Sequence, residues 1–438
     1  MVVLKVLKTY ETTMGNFVLD ALRTSTLSIQ TSFHEIKVSF GSIKSLLVPW
    51  TRSNSNNSSP VISKTKLRED IKEFDESKVG VKGLVDAGIT SIPRIFYQPP
   101  ENLIDSRSLT RTLDIPVIDL AASDRAIVVR QVQEASSKFG FFQLINHGIP
   151  LCRMDDVILS IKAFNELETE LKSQYYSREG NEKRVLYYGS SLHLNELEGA
   201  SWNDTLLVAL GPEPAESCYV PEVCRMAVAE WDEEMKKLGG ALLGLMSEGL
   251  GLKREALEEK LCMDARIMAG NYYPHCPQPD LTLGLKSHTD PSIFTLLLSN
   301  HVPGLHVKVE GHEWANLVAH PGALVVNIGD VLQIISNDKY RSVEHRVLAN
   351  SLQEPRISVA VFFNPANDAD TYGPLPEITS LDEPARYRDF DLLELRQQMK
   401  KEVGVKSLIN NCRIGPNLKW RDWNPLRLLQ SYVGSSQN

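Results

Sequence analysis

The sequence predicts an α+β fold in which helices lead into, and then frame, a β-rich core closed as an antiparallel sandwich or barrel. Three observations carry this expectation. Apolar residues recur at helical intervals over 124–140 and 222–250. Beyond about residue 262 the texture changes to short apolar strands separated by turns, the pattern of a closed antiparallel architecture. The 438 residues, 42% hydrophobic and 23% charged, suffice for one large domain or two ordinary ones with a sizeable core.

Along the chain, residues 1–65 stand apart. They are rich in Ser, Thr and Asn, run into "TRSNSNNSSP" (51–60), and hold more Lys and Arg than Asp and Glu. Such a leader suits a disordered extension, or an organelle transit peptide that would send the protein to a plastid. Globular composition begins near residue 66. "KLREDIKEFDESKVGVKGLVDAG" (66–88) reads as a charged helix entering a glycine-punctuated turn. "DIPVIDL" (114–120) is a short strand, "DRAIVVRQVQEASSKFG" (124–140) a helix ending on Gly140, and "FFQLINHGIP" (141–150) a strand and turn. After the long helix at 222–250, strands are expected in "ARIMAGNYYP", "LGLKSHTD", "IFTLLLS", "GLHVKVEGHEWANL", "ALVVNIGDVLQIIS", "YRSVEHRVLAN" and "RISVAVFFNP". This divides the chain into a helical N-terminal region (66–230), a β-rich region (231–395) and an atypical tail (396–438).

Totals exclude several function classes. The formal net charge is −8 and no basic stripe is evident, so nucleic acid and anionic membrane surfaces are poor partners. The longest apolar run, "LGGALLGLMSEGLGL" (238–252), is broken by Glu248 and rich in Gly, which suits a buried helix rather than a membrane span. The six cysteines are scattered without a C-x-x-C pair, so reduced thiols and a cytoplasmic location are expected, with a monomer as the default.

Chemistry concentrates in the β-rich region. In "LKSHTDPS" (285–292), His288 and Asp290 stand at i and i+2, which on a strand share a face. "YRSVEHRVLAN" offers His345 on a strand that a barrel could set alongside. Two imidazoles and a carboxylate fill one face of an octahedron and leave three positions open, the facial triad of non-haem Fe(II) oxygenases. A lone His-x-Asp is more often a surface or hydrogen-bonded pair; the neighbouring motifs favour the metal. In "EPRISVAVFFN", Arg356 and Ser358 share a strand face, and an inward Arg among apolar residues is costly unless it meets an anion. Guanidinium plus hydroxyl makes a carboxylate receptor. "NYYPHCPQP" (271–279) adds Asn271 and Tyr273 on one face, both able to hydrogen-bond a co-substrate. Together these point to iron and a dicarboxylate.

"NYYPHCPQPDLTLGLKSHTDPS", "GALVVNIGDVLQIISNDKYRSVEHRV", "PRISVAVFFNP" and "FGFFQLINHGIP" resemble plant 2-oxoglutarate- and Fe(II)-dependent dioxygenases over about residues 68–395. "EFDESKVGVKGLVDAGITSIPRIF" (73–96) resembles the branch of 1-aminocyclopropane-1-carboxylate oxidase homologues, which includes hydroxylases of specialised metabolites such as deacetoxyvindoline 4-hydroxylase. The resemblance implies a double-stranded β-helix (jelly-roll) core flanked by N-terminal and C-terminal helices. It implies iron on His288, Asp290 and His345, with 2-oxoglutarate on Arg356 and Ser358, assisted by Tyr273 and Asn271. O2 would be the oxidant and ascorbate a supporting reductant. His147 belongs to a family motif and reads as structural. Asn203, in "SWNDT", stands where the family often has a basic residue. A small apolar substrate, an alkaloid, terpenoid or phenolic, would be hydroxylated, desaturated or demethylated against a pocket drawn from Phe362, Phe294, Tyr187 and Trp202. An ascorbate-dependent oxidase of the 1-aminocyclopropane-1-carboxylate type and a non-catalytic small-molecule-binding barrel are the competing readings. A Zn²⁺ hydrolase on the same ligands would leave Arg356 and Ser358 without a role.

Overall fold

The computed structural model describes residues 64–103, 112–178, 186–191, 194, 199–308, 313–367, 371–395 and 407–414. The expected extension, apart from residues 64–65, and most of the expected tail lie outside these residues. The chain divides into two units, Met1–Pro60 with Asp86–Ser91, and Val61–Val85 with Ile92–Asn438. Of the first, the described residues 86–91 comprise a helix end, a turn and bends. The second carries two main sheets and a two-stranded one, Thr371–Tyr372 paired with Phe390–Asp391.

The charged segment forms two helices rather than one, α1 (Lys64–Ser77) and α2 (Gly80–Asp86). Lys78 between them has φ +52°, a left-handed conformation that stops α1. Asp204, distant in sequence, restarts the chain as α2: its carboxylate accepts from the Val81 and Lys82 amides, each at 2.8 Å. Helix α3 (Arg125–Lys138) begins on Asp124, whose Oδ1 accepts from the Ala126 amide at 2.9 Å. Helices α4 (Leu151–Asn165) and α5 (Glu222–Gly249) pack against each other. Along α5 the buried residues Cys224, Val228, Trp231, Met235, Leu238 and Leu242 follow helical spacing. No described helix is long and apolar enough to cross a membrane.

The strands of the two main sheets are β1 (Val117–Asp119), β2 (Phe141–Ile145), β3 (Leu186–Ser190), β4 (Asp204–Gly211), β5 (Ala265–Tyr273), β6 (Leu283–His288), β7 (Phe294–Ser299), β8 (Leu305–Lys308), β9 (Trp314–Asn316), β10 (Leu324–Ile328), β11 (His345–Leu348) and β12 (Arg356–Asn364). They form an eight-stranded sheet, β1-β2-β10-β7-β12-β5-β4-β3, and a four-stranded sheet, β6-β11-β8-β9. This is the double-stranded β-helix expected of the chain. Period-2 alternation sorts the side chains of the large sheet. Phe294, Leu296, Val326, Val359, Val361 and Phe363 join the helices in one core, whereas Phe141, Tyr273 and Val325 meet Leu305, Val307 and Val347 of the small sheet in another.

The helix-facing core gives a prediction that separates two adjacent glycines of α5. A Cβ on Gly239 would lie 2.4 Å from the Phe363 ring, while one on Gly240 would meet nothing within 4 Å. Gly240→Ala should therefore stabilise the protein by up to about 1 kcal/mol of helix propensity. Gly239→Ala gains the same term but overpacks the core at a cost of about 1–3 kcal/mol, so it should lower the melting temperature. Equal shifts in thermal unfolding would contradict this packing.

Residues 330–335, expected as strand, form a helix instead, α6 (Asp330–Ile335). All six are buried, so no amphipathic contrast marks the helical period. A short helix α7 (Ser407–Cys412) lies within the expected tail.

Candidate metal centre

His288 ends β6 and His345 begins β11, and the two are directly opposed across the antiparallel pair. Asp290 reaches them differently from expectation. It lies beyond the end of β6, in the turn toward β7, so the turn and not the pleat brings it beside His288. Its Oδ1 stands 3.5 Å from His288 Nε2 and 3.6 Å from His345 Nε2. One donor atom from each residue falls within 4.8 Å of the others.

Each donor is held in a ligating orientation. His288 Nδ1 is 2.9 Å from the Lys286 carbonyl and His345 Nδ1 is 3.2 Å from the Val343 carbonyl, so each Nδ1–H donates to backbone and leaves Nε2 its lone pair. Asp290 Oδ2 accepts from Thr295 Oγ1 at 2.6 Å and Asn327 Nδ2 at 2.7 Å, which turns Oδ1 toward the imidazoles. The Phe141 ring packs edge-on to His345, with ring centres 5.5 Å apart. Two neutral nitrogens and one carboxylate oxygen on one side of a barrel suit a divalent iron with open positions, and the residues present fit it.

The electrostatics agree. Burial would raise the Asp290 carboxyl, but His345, His288 and the Thr295 hydroxyl outweigh it and hold the group well below the usual carboxylate range. Burial opposes a charge on His288, yet its hydrogen bond to the Asp290 carboxylate prevails and raises its pKa. His345, pushed down to about 4 by burial and by His288, is already neutral above that pH. Metal binding therefore displaces one proton from this pair of histidines, not two. Apparent Mn²⁺ or Co²⁺ affinity should rise about tenfold per pH unit from pH 5 until His288 deprotonates above its usual 6.5, then level off. Calorimetric titration across that range checks the slope; a hundredfold rise per unit would mean that His345 also carries a proton.

Further along the inner face, β12 and β5 pair so that Arg356 stands opposite Tyr273 and Ser358 opposite Asn271. Arg356 is 2% exposed, and its Nε and Nη1 have no hydrogen-bond partner among the described residues. Its guanidinium lies 5.1 Å from the centre of the Tyr273 ring. The Ser358 hydroxyl is in hydrogen-bond contact with Tyr273, whose own pKa burial raises. A buried guanidinium with two unused N–H groups is costly unless an anion completes it. Asn271 Oδ1 accepts from Thr205 Oγ1 at 2.9 Å, which fixes the amide flip.

The aromatic candidates separate. Phe362 shares the inner face with Ser358, is partly exposed, and pairs with Thr295, the residue whose hydroxyl holds Asp290. Tyr187 pairs with Leu207 on β4, is 6% exposed, and its Oη accepts from Arg178 at 3.1 Å. Phe294 stands instead on the helix-facing side, fully buried and stacked on Phe363 with centroids 4.7 Å apart, because it neighbours the inward Thr295. Trp202 is fully buried against Phe96, and its indole N–H donates to the His275 carbonyl at 3.3 Å. His147 bonds the Gly322 carbonyl at 3.0 Å and accepts from the Ile149 amide, a structural turn. Thr295 and Asn327, which aim Asp290, were not among the expected residues. The available signal was an inward polar residue within a largely apolar strand, Thr295 in "FTLLLS" and Asn327 in "LVVNI".

The model of the 2OG-Fe(II) oxygenase superfamily matches residues 265–365, and that of the non-haem dioxygenase in morphine synthesis N-terminal region matches residues 115–223. The chain is 45% identical over 332 residues to 1-aminocyclopropane-1-carboxylate oxidase homolog 1 of Arabidopsis thaliana, covering 74% of this chain and 90% of that protein. It is 40% identical over 342 residues to deacetoxyvindoline 4-hydroxylase of Catharanthus roseus, covering 75% and 84% respectively. The crystal structure of JOX2 in complex with 2OG, Fe and JA superposes with a TM-score of 0.68 at 32% identity, covering 77% of this chain and 98% of that one.

Proposed function

The chain belongs to the 2OG-Fe(II) oxygenase superfamily, and on that premise we propose that this Fe(II)- and 2-oxoglutarate-dependent dioxygenase hydroxylates an apolar specialised metabolite. An alkaloid, terpenoid or phenolic is the substrate class. Desaturation and demethylation are alternative outcomes of the same oxidation. The observation that carries the substrate class is a wall of apolar side chains on the inner face beside the triad. Phe362 pairs with Ile267, and Leu207 pairs with Ala269 two residue pairs along, on the same face. Phe362, Ile267 and Leu207 are each partly exposed although they are large and apolar. Deacetoxyvindoline 4-hydroxylase, by its name, and JOX2, solved with JA, support a small organic substrate.

In this reading His288, Asp290 and His345 hold the iron. Arg356 and Ser358 bind the distal carboxylate of 2-oxoglutarate, with Tyr273 and the Asn271 amide alongside. Iron, when bound, supplies the O2 chemistry that oxidises the 2-oxo acid to succinate and CO2 and the substrate C–H to C–OH. The protein contributes orientation and dryness. Arg356 neutralises the far carboxylate and fixes how deep the co-substrate sits, Asp290 keeps a negative charge facing the metal, and the apolar wall excludes water from the C–H to be oxidised.

The test is substrate-dependent succinate release across a panel of apolar metabolites. Phe362→Ala should raise the KM for the active compound by about 10-fold or more, given 1.5–3 kcal/mol for a buried aromatic, and leave the KM for 2-oxoglutarate unchanged. An unmoved substrate KM would remove Phe362 from the wall. A panel that consumes O2 without succinate would favour the ascorbate-dependent oxidase.

The boundaries near 66, 231 and 396 remain this reading's domain divisions. A cytoplasmic monomer is the proposed working form, supported by six free cysteines, three of them exposed. Plastid import of a reporter fused to residues 1–65 would overturn that placement.

A further inference from the structure

The turn that carries Asp290 is zipped to the first residues of α6 and to Gly329 just before it. Three backbone amides donate across it: Gly329 to the Ile293 carbonyl at 2.9 Å, Asp330 to the Asp290 carbonyl at 2.8 Å, and Val331 to the Ser292 carbonyl at 3.1 Å. The approach is so close that a Cβ on Gly329 would lie 2.0 Å from the Ser292 oxygen, which only glycine permits. Next to it the Asp330 side chain, 2% exposed, spends both carboxylate oxygens on hydroxyls. Oδ2 accepts from Thr289 Oγ1 at 3.1 Å, and Oδ1 accepts from Ser342 Oγ at 2.6 Å. Thr289 lies between the ligands His288 and Asp290, and Ser342 lies three residues before the ligand His345. One turn along the same helix, Gln333 Oε1 accepts from the Ser342 amide at 2.6 Å.

We propose that Asp330 is a positioning residue that ties the two metal-bearing segments, 288–290 and 342–345, to one rigid helix end and so sets the spacing of the facial triad. It touches neither the ligand donor atoms nor the inner-face wall. Its side chain holds the two segments through its hydrogen bonds to Thr289 and Ser342, so hydrogen-bond geometry carries the role. A partner held in this way typically accounts for 10- to 100-fold in metal affinity. The inference rests on the triad being a metal site.

The experiment is titration of the full chain with Co²⁺ under anaerobic conditions, by calorimetry and by the visible ligand-field bands, alongside thermal unfolding of the metal-free protein. Asp330→Ala should bind Co²⁺ at least 10-fold more weakly, with altered bands. Asp330→Asn should stay within about threefold of the parent, because an amide can accept from one hydroxyl and donate to the other. If Asp330→Ala proves unfolded, Thr289→Val/Ser342→Ala removes the same two tethers from the far side and should show the same 10-fold loss. Unchanged affinity and bands in a folded Asp330→Ala or in the double variant would overturn the proposal, as would an Asp330→Asn as weak as Asp330→Ala. Failure of the parent protein to bind Co²⁺ would defeat the metal reading itself, a distinguishable result.

Discussion

Asp290→Ala is expected to abolish substrate-dependent succinate release, a loss of more than about 10³-fold, since outer partners alone account for 10- to 100-fold in comparable sites. The carboxylate is the metal centre's negative ligand, and its loss leaves two imidazoles facing one another at a centroid distance of 4.2 Å. It also strips an acceptor from Thr295 and Asn327, both buried, at about 1–3 kcal/mol for each stranded group. The metal-free protein should therefore melt lower as well. Asp290→Asn keeps the shape and an acceptor, so it separates the two effects: turnover still lost, stability largely kept. Near-normal turnover in either variant would remove Asp290 from the metal centre.

Arg356→Lys should raise the KM for 2-oxoglutarate by about 10- to 100-fold, corresponding to the 1.5–3 kcal/mol of a charge-assisted hydrogen bond. Lysine keeps the charge but cannot reproduce the planar fork, and its ammonium would sit unpaired in a site built for Nε and Nη1. The KM for the organic substrate should stay put, because Phe362 and its β5 partner Ile267 lie six residues along the β12–β5 pair from Arg356. Steady-state kinetics with each substrate varied in turn decides this. An unchanged 2-oxoglutarate KM would remove Arg356 from the co-substrate site.

Much of this site was legible because β-strands alternate. Arg356 with Ser358, and Asn271 with Tyr273, were placed on shared faces by a period of two, and the pairing of β12 with β5 joins the four. His345 was identified by residue type and context, and the β6–β11 pairing sets it opposite His288. Asp290 stands beside His288 as its spacing predicts but for a different reason, since the strand ends at His288 and a turn does the rest. What stayed hidden depends on tertiary partners. Asp204 capping α2, Asp330 bridging Thr289 and Ser342, and α6 itself, buried all round, leave no periodic trace in the sequence. Aromatic residues were the poorest guides. Phe294 and Phe362 are chemically identical, yet the former packs against helices and the latter stands on the inner face, a difference set by one step of register.

The most direct test of the central claim is anaerobic addition of Fe(II), then 2-oxoglutarate, to the purified protein, watching for the weak visible charge-transfer band of a 2-oxo acid chelated to ferrous iron. The account predicts the band in the parent protein, its loss in His345→Ala, and a strongly raised 2-oxoglutarate requirement for it in Arg356→Ala. Iron binding without any band, or a band equally strong at the same 2-oxoglutarate concentration in Arg356→Ala, would contradict it.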